Sequence, residues 1–104
     1  MLKVHNEIFK EIMSFGVNSD HEGLRAYLLE SDFEVVKVAQ TIMYIGRDKY
    51  YLENSTPEQI YRYNREFFDK QGWNTQGIEV GQMVGKGPVF EYLKMGFKIL
   101  EISI

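Results

Sequence analysis

The stretch Asp32-Phe33-Glu34-Val35-Val36-Lys37-Val38-Ala39-Gln40-Thr41-Ile42-Met43-Tyr44-Ile45-Gly46 decides how this chain is read. Phe33, Val35, Val36, Val38, Ala39, Ile42, Met43 and Ile45 leave only Lys37, Thr41 and Tyr44 as a narrow polar stripe, so a helix here is apolar on most sides and belongs at the centre of the molecule. Its β-branched residues lower helix propensity slightly. The run from 32 to 45 nevertheless exceeds an ordinary strand, and Gly46 reads as its terminator.

Working outward, helix signals flank this segment on both sides. Before it, Val4, Ile8, Phe9, Ile12 and Phe15 recur at three- and four-residue steps over residues 3–15, with Gly16 as a left-handed stop. A short helix over 20–30 turns Leu24, Tyr27 and Leu28 inward, with Asp20 and Glu22 at its electropositive start. After it, Pro57 opens a helix to Gln71 with Ile60, Asn64, Phe67 and Phe68 on one face. Glu58, Arg62, Glu66 and Lys70 form an alternating-charge ladder on the other, each exposed pair stabilising the helix by roughly 0.2–0.5 kcal/mol. Pro88 opens a last helix to about Leu100, with Val89, Phe90, Leu93, Phe97 and Leu100 inward. Three capping boxes fit this plan, Ser19 with Glu22, Ser31 with Glu34, and Thr56 with Gln59.

The expected fold is therefore all-α: one domain, residues 1–104, built as a bundle of about five helices around the 32–45 helix. The segment 77–84 leaves an alternative open. Gly77, Gly81 and Gly85 are spaced by four, and on a helix they draw a smooth strip that lets another backbone approach. As a strand, Ile78, Val80 and Gln82 would alternate, giving an α+β arrangement with a short hairpin made with the C-terminal tail.

Composition narrows the function classes. Among 104 residues, 15 acids against 12 bases give a net charge of -3, spread evenly along the chain, so a phosphate-tracking surface is disfavoured and no nucleic-acid partner is expected. There is no cysteine, which removes disulfides, thiolate catalysis and zinc-thiolate sites and fits a reducing compartment; the expected location is cytoplasmic. No apolar run reaches a membrane span, and Met1-Leu2-Lys3-Val4-His5-Asn6-Glu7 lacks the features of a signal peptide. His5 and His21 stand alone, without carboxylates at metal-ligand spacing, so neither a metal nor a cofactor is expected. Gly85-Lys86-Gly87-Pro88 lacks the spacing and the Ser or Thr of a phosphate loop. No catalytic residue can be assigned.

Two candidate sites remain. The stripe of Lys37 and Tyr44 continues through Arg47 and Asp48 to Tyr50, and Arg47 can grip a carboxylate or phosphate with tyrosine hydroxyls orienting it. The plainer reading pairs Arg47 with Asp48 at the negative end of its own helix and turns the stripe to water. The second site is an interface. Gly77, Gly81 and Gly85, the lone Trp73, and the apolar tail at Ile102 and Ile104 suit self-association, so the expected partner is a second copy or another protein.

The residues Val38-Ala39-Gln40-Thr41-Ile42-Met43-Tyr44-Ile45-Gly46-Arg47-Asp48 and Gln82-Met83-Val84-Gly85-Lys86-Gly87-Pro88-Val89-Phe90-Glu91-Tyr92-Leu93-Lys94-Met95-Gly96-Phe97 resemble two signatures of a small bacterial family, domain of unknown function number 3775. Those signatures are an apolar helix ending in Gly-Arg-Gly-Asp, and a glycine and proline followed by a leucine-rich helix with an internal glycine. This chain lacks the second glycine of the first signature and has Tyr44 where tryptophan is expected. The resemblance implies a small helical domain and transfers no catalytic residue. On these readings the chain is a non-catalytic interaction module, with small-molecule or anion binding near Arg47, or a small enzyme there, as the alternative.

Overall fold

In a computed structural model describing residues 5–104, the chain folds into six α-helices and no strand among the described residues: α1 (Asn6–Ser14), α2 (His21–Glu30), α3 (Phe33–Asp48), α4 (Pro57–Gln71), α5 (Gln76–Val84) and α6 (Val89–Ile99). Val4, expected on the inward face of the first helix, lies outside the described residues. The all-helical expectation holds with six helices rather than about five, and the hairpin alternative for 77–84 falls because that segment is α5. A 3-10 turn over Phe15–Asn18 links α1 to α2.

The central helix is α3, as its sequence demands. Val36, Val38, Ala39, Ile42, Met43 and Ile45 are buried together with Phe9 and Ile12 of α1, Leu24 and Leu28 of α2, Ile60 of α4, Val80 and Met83 of α5, and Val89, Leu93 and Phe97 of α6. Apart from Ala39, each of these side chains contributes about 1.5–3 kcal/mol by leaving water. Two expectations about α3 are corrected. Thr41, assigned to a solvent-facing stripe, is 0% exposed, and its hydroxyl donates to the Lys37 carbonyl at 2.7 Å, which satisfies it within the helix. Gly46 does not end the helix, which runs on to Asp48 and is stopped by Lys49 in the left-handed conformation (φ 54°).

Gly46 lies instead against α6. A methyl group there would fall on the Tyr92 carbonyl oxygen and within 2.6 Å of the Gly96 amide nitrogen. Reciprocally, a methyl at Gly96 would fall on the Ile42 carbonyl oxygen and within 2.7 Å of the Ile42 Cγ2 atom. The two helices therefore touch backbone to backbone, with one glycine supplied by each.

Caps fix the remaining elements. The Thr56–Gln59 box is formed in both directions, with the Thr56 amide donating to Gln59 Oε1 at 2.8 Å and the Gln59 amide to Thr56 Oγ1 at 3.2 Å. The other two boxes are not. Asp20, not Ser19, caps α2 by accepting from the Gly23 amide at 2.8 Å, and Ser19 is the left-handed residue (φ 53°) where Gly16 was expected to be. Ser31 Oγ donates to the Tyr27 carbonyl, while Glu34 turns to Arg65. The α6 end is closed by Glu101 in the left-handed conformation, with the Ile102 amide donating to the Phe97 carbonyl at 2.9 Å and the Glu101 amide to Lys98 at 3.1 Å. Ile102 packs on the core as the apolar partner of that turn, whereas Ile104 is exposed. The phenylalanines do not all enter the core: Phe9 and Phe97 are buried, Phe15, Phe33, Phe68 and Phe90 half-buried, and Phe67 is 52% exposed.

Candidate functional site

The last turns of α3, the C-terminal half of α4 and the length of α5 enclose a cleft of about 460 Å³. Its deepest residues are Gln40 on α3 and Glu79 on α5, 3% and 5% exposed. Gln40 Nε2 donates to Glu79 Oε1 at 2.9 Å, and Glu79 Oε2 accepts from the Asn74 amide at 2.8 Å. A carboxylate only accepts, so the Gln40 amide has one possible orientation, and its Oε1 is left buried without a hydrogen-bond partner.

Aromatic rings form the walls. The Tyr44 ring centroid lies 5.2 Å from that of Phe68, which lies 6.1 Å from Trp73. Trp73 is fixed by its indole N–H, which donates to Asp69 Oδ1 at 2.7 Å. At the rim, the Arg47 guanidinium sits 4.5 Å from the Tyr44 ring and forks onto both Asp48 oxygens at 2.7 and 3.2 Å, the plainer pairing expected for it. These bonds, Asp48 foremost, hold the Arg47 pKa above its ordinary value. Lys86 Nζ stands 5.8 Å from the same ring and makes no ion pair among the described residues.

Of the residues singled out in the sequence, the fold gathers Tyr44, Arg47, Asp48 and Trp73 around this cleft. Lys37 is not in its lining; its ammonium lies over the Phe33 ring at 4.7 Å and near Trp73 at 5.8 Å. Tyr50 lies elsewhere, in a separate hollow of about 420 Å³ lined also by Tyr51, Leu52, Ile60 and Tyr63. Gln40, Glu79 and Lys86 were not read as site residues. Gln40 lies within the largely apolar run of α3 and Glu79 between Ile78 and Val80, and only the packing of α5 on α3 joins them.

Beside the cleft an ion network ties α4 to the start of α3. Arg65 is bidentate on Glu34 at 2.8 and 2.9 Å, meets Asp69 at 2.9 Å and donates to the Tyr61 hydroxyl at 3.0 Å. The Arg65 bond holds the Glu34 pKa below the usual carboxylate range, and the Trp73 indole, then Arg65, does the same for Asp69. Burial pushes the Tyr61 hydroxyl up.

Within the chain no other helix backbone lies against the glycine strip. A methyl at Gly77 would have no neighbour within 4 Å, one at Gly81 would only reach Arg25 Nη1 at 3.9 Å, and one at Gly85 would meet its own helix at the Gly81 carbonyl. Among the described residues no group of three or more His, Asp and Glu side chains is placed to hold a metal, and no helix is long and apolar enough to cross a membrane.

No protein-family model matches this chain, and neither curated proteins nor solved structures gave a match.

Proposed function

We propose that the chain is a non-catalytic, self-associating interaction module whose homotypic contact is the outer face of α4. What carries this reading is the charge ladder. Glu58, Arg62, Glu66 and Lys70 are all exposed, and although successive members are four residues apart, none closes an ion pair within 4.0 Å among the described residues. The ladder alternates in sign, so reversing the helix exchanges every acid for a base. Two copies of α4 laid antiparallel about a two-fold axis near Asn64 set Glu58 against Lys70 and Arg62 against Glu66, whereas a parallel pair in register sets like against like.

The apolar part of the contact stands beside the ladder. Tyr63 and Phe67, one helical turn apart, are 54% and 52% exposed, and the same two-fold axis brings Tyr63 of one copy near Phe67 of the other. Exposed aromatic rings flanked by charge are the composition of interface centres.

Sedimentation or light scattering across a concentration series tests the pairing. The expected species is a dimer that Glu58→Lys weakens and that Glu58→Lys combined with Lys70→Glu restores. A monomer at every concentration overturns the reading. So does a dimer indifferent to these charges but lost on Gly81→Leu, which would move the contact to the glycine strip of α5.

A further inference from the structure

We infer that the cleft between α3, α4 and α5 is a small-molecule site for an aromatic compound that carries an N–H donor group at one end and an anionic group at the other. Three features of its lining specify those parts separately. The floor offers acceptors: Gln40 Oε1 is buried with no donor, and the Glu79 carboxylate oxygens each hold a single protein partner. Such a floor repels a carboxylate or phosphate and takes an ammonium or amino N–H. The walls offer ring faces and edges, from Tyr44, Phe68 and Trp73. The rim offers positive charge, from Arg47 already forked onto Asp48 and from Lys86, which has no ion-pair partner among the described residues.

Simple fold maintenance does not account for this set. A polar pair buried between two helices stabilises less than apolar side chains of the same shape unless every atom is bonded, and here one acceptor is not. A cleft of about 460 Å³ lies within the range that encloses small organic ligands. An amino-substituted purine or pyrimidine mononucleotide has the specified chemistry, with an exocyclic amine at the base end and a phosphate at the other.

Trp73 is the only tryptophan in the chain and lines the cleft, so its fluorescence reads occupancy directly. Titrating the full chain with AMP and with CMP should give a saturable change for at least one, and which one distinguishes a purine from a pyrimidine. Adenosine or cytidine, lacking the anionic end, should bind at least about tenfold more weakly than its parent nucleotide. Lys86→Glu should weaken binding of the responding compound by a similar factor, while Lys94→Glu, on α6 outside the cleft, should not. Lys86 is half-buried at the rim, so circular dichroism verifies that the variant folds, and it lies off α4, so its effect is separable from dimerisation. No saturable response to either nucleotide at millimolar concentration overturns the inference. An affinity unchanged by Lys86→Glu overturns it equally.

Discussion

The two sides of α3 are held by opposite means. Toward α6 the contact is backbone on backbone, with Gly46 set on Tyr92 and Gly96 set on Ile42, and there is no room for a single methyl group. Toward α4 and α5 only side chains meet: Ile60, Val80 and Met83 join the core, and beyond them Glu34 reaches Arg65, Gln40 reaches Glu79 and Tyr44 reaches Phe68. Close-packed backbones leave no space for a ligand, and long side chains leave gaps between them. The cleft therefore opens on the side where α3 is held at arm's length, and the α3–α6 pair serves as the rigid wall from which Gln40 and Tyr44 project.

The largest expected effect comes from inserting atoms on the close side. Gly46→Ala and Gly96→Ala each place a methyl group into backbone that cannot rotate away, so each should cost about 3 kcal/mol or more, seen as a fall in Tm of about 12 °C or more in thermal unfolding. A loss below about 1 kcal/mol for either would mean that α3 and α6 slide apart freely. The two changes should not add, because the first already separates the helices that the second would strain.

On the open side the matching test is the buried polar pair. Glu79→Leu leaves Gln40 Nε2 and the Asn74 amide without acceptors and should cost about 2 kcal/mol in denaturant unfolding. Gln40→Leu should cost a similar amount by stripping Glu79 Oε1 of its donor. The double replacement removes both members and should cost clearly less than the two single changes together. Strict additivity would mean that the two side chains do not interact.

Next in size is the ion network that closes the same side at the start of α3. Glu34 and Asp69 are held below their ordinary pKa values in the folded chain, so their contribution is complete above the unfolded values, near pH 4, and is lost as the pH falls through the folded ones. Arg65→Gln should destabilise the protein by about 1 kcal/mol at neutral pH, a modest figure because both carboxylates are half open to water. It should also flatten the dependence of stability on pH below about 4. An equally steep acid limb in the variant would place that dependence on other carboxylates.

How much of this was legible in the sequence follows the range of each signal. Thr56 and Gln59 are three residues apart and make their box within one helical turn, so reading and structure agree. Ser19 and Ser31 have the same local pattern, but Asp20 and Asp32, one residue later, take the cap positions, and Glu34 has a stronger partner in Arg65, 31 residues away. Gly46 looked like a helix end because a terminating glycine and a packing glycine are the same residue in one dimension. What separates them is Gly96, 50 positions on and in another helix. The site was half legible for the same reason: Tyr44, Arg47 and Asp48 follow one helix into the loop, whereas Glu79 and Lys86 reach it only through the docking of α5.

The glycines of α5 give the smallest effect and reverse its sign. A spacing of four suggested a surface for close approach, and within the chain Gly77 has open space and Gly81 only an arginine tip where Gly46 and Gly96 have backbone. An exposed helical glycine costs stability relative to alanine because the unfolded chain has more freedom to lose. Gly81→Ala meets only the end of the Arg25 side chain at ordinary contact distance, so it should stabilise the protein by about 0.5–1 kcal/mol, raising Tm by a few degrees. The same substitution thus separates a glycine required by packing from one tolerated by it. If Gly81→Ala instead destabilised the protein in proportion to protein concentration, a second chain would be lying on that face, and the smooth strip rather than the α4 ladder would be where two copies meet.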